Sequence, residues 1–372
     1  MGMKFGLWFE PEAVNPQSEL YKAHPEWVIK SSSEPSLARH ELLLDLSKPE
    51  VQEYIIDNVS KTLDSANIEY VKWDMNRHMS DPSNSNAGEF YHNYIVGLYK
   101  VLKTLTEKYP NVLFEGCASG GNRFDFGILC YCPQIWASDD TDSYERLFIQ
   151  RGYLYGYPLS TLSNHVSSEH NHQSLRKSSI DSRFNIASFG VLGYELLFSE
   201  LNKFDKNRVK ILIEIYKQNR DIFQFGEFFE LESNNGHIKW QVLSKDKSKS
   251  VVGEFAGKQS IAPSESILLT KGLKEDVMYS VDNVEVIHNI KEYGGLVNLI
   301  LPFHVNPNGK LVDIASRHIT MPSEQDHYKV YGSVLNNKGV VLTPEWSASG
   351  QDVRLLRDFG SRLYLIKEIK DE

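Results

Sequence analysis

The segment Lys72-Trp73-Asp74-Met75-Asn76-Arg77 sets a carboxylate between two cations at the end of an apolar run. Nearby positive charge favours the ionised form. An ionised, rigidly held carboxylate is what nucleophilic attack on a sugar carbon requires. The same residues also suit an Asp that caps the next helix or pairs with a neighbouring base, and both readings stay open. Farther on, Trp136-Ala137-Ser138-Asp139-Asp140-Thr141-Asp142 packs three carboxylates into four positions. Crowded acids resist ionising together, which suits one of them to hold a proton as a general acid. Binding of Ca²⁺ or Mg²⁺ competes with that reading, but no calcium-loop glycine pattern follows. Helix N-capping accounts for one or two of the three.

Between these two segments lies a loop of small residues, Glu115-Gly116-Cys117-Ala118-Ser119-Gly120-Gly121-Asn122-Arg123-Phe124-Asp125. Its glycines let backbone approach a ligand closely. No Lys-Ser/Thr follows them, so this is not a phosphate-binding Walker loop. Cys117 has the chemistry of a nucleophile, yet no His partner is assignable, and a pocket-lining role fits better. His165, His170 and His172 fit no zinc spacing and read as polar loop residues.

The elements that must hold these groups alternate. Apolar runs at 4–9, 42–46, 68–74, 112–114, 133–137 and near 190–194 read as strands, with amphipathic helices between them. Ser47-Lys48-Pro49-Glu50 reads as a capping box with proline in the first turn. Val51, Ile55, Val59 and Leu63 then repeat every fourth residue along one helix face. Further helices are expected at about 90–105 and 199–220. Strand–helix alternation implies a parallel sheet with covering helices. Glu10, Asp45, Asp74, Cys117 and Asp139 all fall at or just past strand C-termini, the catalytic face of a (β/α) barrel. A doubly wound sheet would favour a Gly-rich phosphate loop after its first strand, and none is present. The expected fold is therefore an α/β, (β/α)8-type barrel over residues 1–226. An antiparallel β-sandwich is expected over 227–372, where short alternating runs are separated by turns such as Asn306-Pro307-Asn308-Gly309 and Asn336-Asn337-Lys338-Gly339.

Composition excludes several classes. A net charge of −9 with scattered Lys and Arg argues against phosphate-driven nucleic-acid binding. No run of 18 uncharged apolar residues suggests a membrane span. The start carries no apolar signal segment. Three cysteines form no disulfide framework, which suits a reducing cytoplasm.

Several segments in collinear order resemble the bacterial α-galactosidases of glycoside hydrolase family 36. They are Gly6-Leu7-Trp8-Phe9-Glu10-Pro11-Glu12, His24-Pro25-Glu26-Trp27, Lys72 to Arg77, Cys117 to Asp125, Trp136 to Asp142, Arg146-Leu147-Phe148-Ile149-Gln150, His165-Val166-Ser167, Gly193-Tyr194-Glu195 and Leu342-Thr343-Pro344-Glu345-Trp346. The resemblance implies that Asp74 is the nucleophile and Asp139 the acid/base of a retaining hydrolase acting on α-galactosides of the melibiose and raffinose type. It implies galactose contacts from Arg39, Lys72, Asn76 and Cys117, with Trp8 packed beside the sugar. It implies no metal and no organic cofactor. By the same resemblance the chain lacks the family's N-terminal sandwich and first barrel unit, with Leu197 in place of an Asp and Glu41 in place of a Gln. Seven barrel strands are accordingly expected. So is either a partner, as a second copy or an N-terminal half in trans, or a truncated chain without activity.

Overall fold

The computed structural model describes residues 2–30, 35–80, 86–233, 235–260, 265–299, 302–316, 319–345 and 354–370. Trp346 of the last family-like segment lies outside them. Two compact units are present, one of residues 1–139 with 161–163 and one of 140–160 with 164–372.

The first unit starts with strand β1 (Phe5–Phe9), followed by the short strands β2 (Ala13–Val14) and β3 (Leu42–Leu43). Strands β4 (Ile68–Trp73), β5 (Leu113–Gly116) and β6 (Gln134–Trp136) come next, then β7 (Leu162–Ser167), whose first two residues belong to this unit. With β8 (Val191–Glu195) they give a parallel sheet of six strands in the order β1-β4-β5-β6-β7-β8. Among the described residues, the run expected as a barrel strand at 42–46 does not join it. Leu42–Leu43 instead pairs antiparallel with Ala13–Val14. The run is apolar because it is buried, with Leu42, Leu43, Leu44 and Leu46 all covered. A buried loop and a buried strand share that composition.

Helix α1 (Glu19–Ala23) is short, and α2 (Pro49–Ser65) and α3 (Ala87–Lys108) cover the sheet of the first unit. Val51, Ile55, Val59 and Leu63 are buried, as their four-residue period demands. The capping box does not form. Lys48 is the N-cap and makes no side-chain cap bond, and the Ser47 hydroxyl donates to Asp45 Oδ1 at 2.6 Å. Asp45 is thereby spent on a turn. Gly97 of α3 sits against the Leu46 carbonyl so closely that a Cβ would lie 1.9 Å from its oxygen. That contact seats the helix on the buried loop. A short helix α4 (Phe126–Leu129) follows the glycine loop.

The second unit contains α5 (Ser143–Leu154), α6 (Ile180–Ala187) and α7 (Lys203–Phe225). Strand β7 escaped the sequence reading because Ser163, Asn164 and Ser167 break the apolar pattern. They are buried and satisfied, with Asn164 Nδ2 donating to Phe189 O at 2.9 Å and Ser167 Oγ to Thr141 O at 3.2 Å. The C-terminal strands are β9 (Glu227–Leu231), β10 (Ile238–Leu243), β11 (Lys249–Phe255), β12 (Ile267–Leu268), β13 (Met278–Asn283), β14 (Ile287–Asn289), β15 (Thr320–Pro322), β16 (His327–Tyr331), β17 (Val340–Val341) and β18 (Ser361–Glu368). They form an antiparallel sheet, β16-β13-β18-β11-β10-β9, and the two-stranded pairs β12-β17 and β14-β15. Alternation along β11 and β18 explains their apolar runs. Val251 and Leu363 face a core with Phe184, Phe189, Leu212 and Trp240, whereas Val252 and Tyr364 face another with Leu268, Tyr279 and Leu335. The expected turn at 336–339 closes a short helix, Gly332–Asn337, with Gly339 (φ 72°) just beyond it. Among the described residues no helix is long and apolar enough to cross a membrane.

Candidate active site

Parallel pairing fixes which strand ends lie side by side. Phe9 is opposite Trp73, Trp73 opposite Gly116, and Gly116 opposite Ile135. The next residue along each strand therefore gives Glu10, Asp74, Cys117 and Trp136 in one row at the C-terminal edge. Asp139 follows three residues after Trp136. Neighbouring strands are about 4.8 Å apart, so the backbones of β4 and β6 stand roughly 10 Å apart across β5. Two carboxylates leaning toward each other can bracket one bond across that span.

Asp74 is buried and surrounded by donors. Trp8 Nε1 reaches Oδ2 at 3.1 Å, Asn76 Nδ2 reaches Oδ2 at 2.8 Å, and the Met75 amide reaches Oδ1 at 2.8 Å. The Cys117 thiol donates to the same carboxylate. Burial alone would raise the Asp74 pKa. The donors from Cys117, Asn76, Trp8 and Met75 outweigh it and hold the carboxyl below its ordinary value. The lowered value that the sequence leads one to expect is present, but these donors rather than the flanking cations produce it. Arg77 turns away to Ser36 O (2.5 Å), Ser80 Oγ (2.9 Å) and the His78 carbonyl. Lys72 reaches Glu115 Oε1 at 3.5 Å and lies 4.6 Å over the Trp136 ring. The pleat puts residues two apart on one face, so it is the contacts with Glu115 and the Trp136 ring that engage the Lys72 ammonium rather than Asp74.

Burial and the Asp74 charge push the Cys117 thiol well up. It stays a protonated donor, and the nucleophile reading of Cys117 falls. Arg39 has a left-handed backbone (φ 54°) and an exposed side chain whose Nη1 lies 3.9 Å from Glu10 Oε1. Asp139 is exposed and accepts Trp136 Nε1–H at 2.8 Å. Asp142 caps α5 through the Tyr144 and Glu145 amides and pairs with Arg176, and Asp140 accepts the Asp142 amide at 3.0 Å.

The glycine loop serves the chain itself. Ser119 (φ 49°) and Gly120 (φ 84°) turn backbone against the Asp139 loop. A Cβ on Gly120 would lie 2.8 Å from Ser138 Cα and 3.1 Å from the Asp139 amide nitrogen. Behind the row, fully buried Glu12 accepts Trp73 Nε1 (2.8 Å), Tyr94 Oη (2.6 Å) and Arg123 Nη1 (2.9 Å), bracing the end of β4. Beneath Lys72, buried Glu115 accepts Tyr70 Oη at 2.5 Å and Gln134 Nε2.

Trp8, Asn76 and Cys117 thus gather on Asp74, while Lys72 and Arg39 reach it only through intermediaries. Glu10 and Trp136 stand in segments the sequence singles out, but the contacts they make are not legible there. Glu10 accepts the Asn76 amide at 2.6 Å across 66 positions, a contact with no local signal. Trp136 precedes Asp139 by three residues, a spacing short enough for the local indole–carboxylate bond that forms. Among the described residues no group of three or more His, Cys, Asp or Glu side chains could hold a metal ion. His165 bonds Glu195 Oε2 through Nδ1 at 3.0 Å.

The Melibiase family model matches residues 1–226, and that of the glycosyl hydrolase family 36 C-terminal domain matches 237–366. α-Galactosidase AgaA of Geobacillus stearothermophilus is 41% identical over 303 residues, 79% of this chain and 41% of that protein. α-Galactosidase 1 of Pediococcus pentosaceus is 41% identical over 286 residues, 75% of this chain and 39% of that protein. The crystal structure of the Lactobacillus brevis α-galactosidase superimposes with a TM-score of 0.81 at 35% identity, covering 100% of this chain and 45% of that one. A variant of the Geobacillus enzyme, solved with raffinose, gives 0.80 at 34% identity over 99% of this chain and 45% of that one. The chain spans about two fifths of the length of the curated relatives it matches. Two family matches in sequence order, one on each side of residue 226, show that the chain belongs to glycoside hydrolase family 36.

Proposed function

We propose that this chain carries both catalytic carboxylates of a retaining α-galactosidase, with Asp74 as nucleophile and Asp139 as acid/base. The observation that carries the proposal is the set of donors on Asp74, which keeps a buried carboxylate anionic at a strand end two strands from Asp139. In the first step Asp74 bonds to the anomeric carbon from the β face. The bond to the leaving oxygen breaks as Asp139 gives that oxygen its proton. In the second step Asp139, now a carboxylate, takes a proton from water as the water displaces Asp74, and galactose leaves with its α configuration. Retention asks for carboxyl groups about 5–5.5 Å apart.

Trp8 offers an exposed indole face for the sugar, while Arg39, Lys72 and Asn76 donate to its hydroxyls and Cys117 contacts the ring beside them. The substrate class is terminal α-galactosides of the melibiose and raffinose type, supported by the raffinose complex of the Geobacillus relative. We read 1–226 as the catalytic barrel portion and 227–372 as the C-terminal β-domain, in a cytoplasmic protein. A second reading draws on the sheet. Its six strands are two short of an eight-stranded barrel, and β1 and β8 end the strand order. On that reading the chain is inactive until a second polypeptide, an N-terminal half or another copy, completes the barrel. Hydrolysis of an aryl α-galactoside by the purified chain, lost in Asp74→Ala, supports the first reading. Activity that appears only when the complementary half is added supports the second.

A further inference from the structure

Each of the two carboxylates accepts an indole N–H, but the two indoles are placed differently. Trp8 is 53% exposed and can meet a ligand, whereas Trp136 is 2% exposed and cannot. The Trp136 ring is held from behind. Lys72 lies over it at 4.6 Å, and Lys72 is tied to buried Glu115, which Tyr70 and Gln134 fix in turn. Asp139 is the opposite, an exposed side chain on the loop after β6. Its backbone rests on Gly120, and its Oδ1 accepts Trp136 Nε1–H at 2.8 Å.

We propose that Trp136 is a positioning residue that fixes Oδ1 of Asp139 as acceptor and so leaves Oδ2 to carry the catalytic proton. The proposal rests on the reading of Asp139 as acid/base. In a protonated carboxyl the carbonyl oxygen accepts hydrogen bonds far better than the hydroxyl oxygen. An N–H aimed at Oδ1 therefore selects the form with C=O at Oδ1 and O–H at Oδ2. In the first step that proton passes from Oδ2 to the glycosidic oxygen as its bond to the anomeric carbon breaks. In the second, Oδ2 recovers a proton from the attacking water. Without the N–H the carboxyl rotates freely, and part of its population presents the wrong oxygen.

Two measurements on the full chain test this. Trp136→Phe keeps an aromatic ring and removes the donor. It should lower kcat about ten-fold on melibiose, whose alkoxide leaving group needs the proton, and under about two-fold on a dinitrophenyl galactoside, with KM held. Independently, the indole N–H signals of the six tryptophans are read by ¹H–¹⁵N NMR. Trp136 is assigned as the signal missing from Trp136→Phe. In Asp139→Ala, a surface change, that signal should move upfield and exchange faster with solvent. An unmoved signal overturns the proposal whether or not the chain hydrolyses galactosides. Equal losses on both substrates overturn it too, since they mark Trp136 as structural only. A wild-type chain that turns over neither substrate defeats the hydrolase reading in this chain, and the indole signal still decides whether Trp136 holds Asp139.

Discussion

Replacing Trp8 by Phe keeps an aromatic ring beside Asp74 and removes one donor, the Nε1–H 3.1 Å from Oδ2. A hydrogen bond to a charged acceptor contributes about 1.5–3 kcal/mol. Trp8 is half exposed, so water replaces part of the loss and the lower end applies. One pKa unit corresponds to about 1.4 kcal/mol, so the Asp74 pKa should rise by roughly one unit. The sign follows from the donor stabilising the anion: its removal favours the protonated form. The assay is a ¹³C NMR titration of the chain labelled at aspartate Cγ, with Asp74 assigned as the resonance missing from Asp74→Asn. It needs no turnover. Where turnover is present, the acid limb of kcat/KM should move to higher pH with the NMR midpoint. A midpoint that stays in place or falls refutes the claim that donors, rather than neighbouring cations, hold Asp74 ionised.

Other outcomes follow from the same contacts. Glu12→Ala leaves the part-buried Arg123 without its carboxylate and removes the acceptor of Trp73 and Tyr94, and should cost about 3 kcal/mol, read as a lower urea midpoint at unchanged slope. Gly120→Ala forces a left-handed residue and a Cβ against the Asp139 loop; it should destabilise by about 1–3 kcal/mol and lower turnover beyond what the loss of folded protein explains. Buried Glu254 sits with Arg354, His237 and Lys239, whose attraction outweighs desolvation and lowers its pKa. That stability is present above the unfolded carboxylate value of about 4.3 and is lost as pH falls through the folded value, so Glu254→Gln should flatten the acid arm of the unfolding free energy against pH. Asp139→Ala with an activated aryl galactoside and azide should yield α-galactosyl azide. Azide rescue of Asp74→Ala should yield the β-anomer, because azide then enters from the vacated β face.

Much of this was legible because it is local. The four-residue stripe from Val51 to Leu63 marks its helix whatever surrounds it. Asp74 and Asp139 stand at strand ends that apolar runs announce. What failed depends on tertiary surroundings. Leu42 to Leu46 is apolar because α3 is seated on it, not because it joins the sheet. β7 is polar because its buried Ser and Asn side chains find partners elsewhere in the chain. Lys72 and Arg77 flank Asp74 in sequence, but Lys72 is engaged by Glu115 and the Trp136 ring, and Arg77 by Ser36, so neither charge pairs with Asp74. The groups that do hold Asp74 ionised come from positions 8, 76 and 117, two of them far along the chain and neutral, so charge counting passes over them.

The central claim is that Asp74 attacks the anomeric carbon. It is tested most directly by trapping that bond with 5-fluoro-α-D-galactosyl fluoride, whose glycosyl-enzyme forms faster than it hydrolyses. Intact mass should show one galactosyl adduct per chain, supplied with its complementary half if the barrel needs one. Peptide mapping should place the adduct on Asp74, and Asp74→Ala should not be labelled. An adduct on Asp139, Glu10 or any other carboxylate, or equal labelling of Asp74→Ala, would contradict the account.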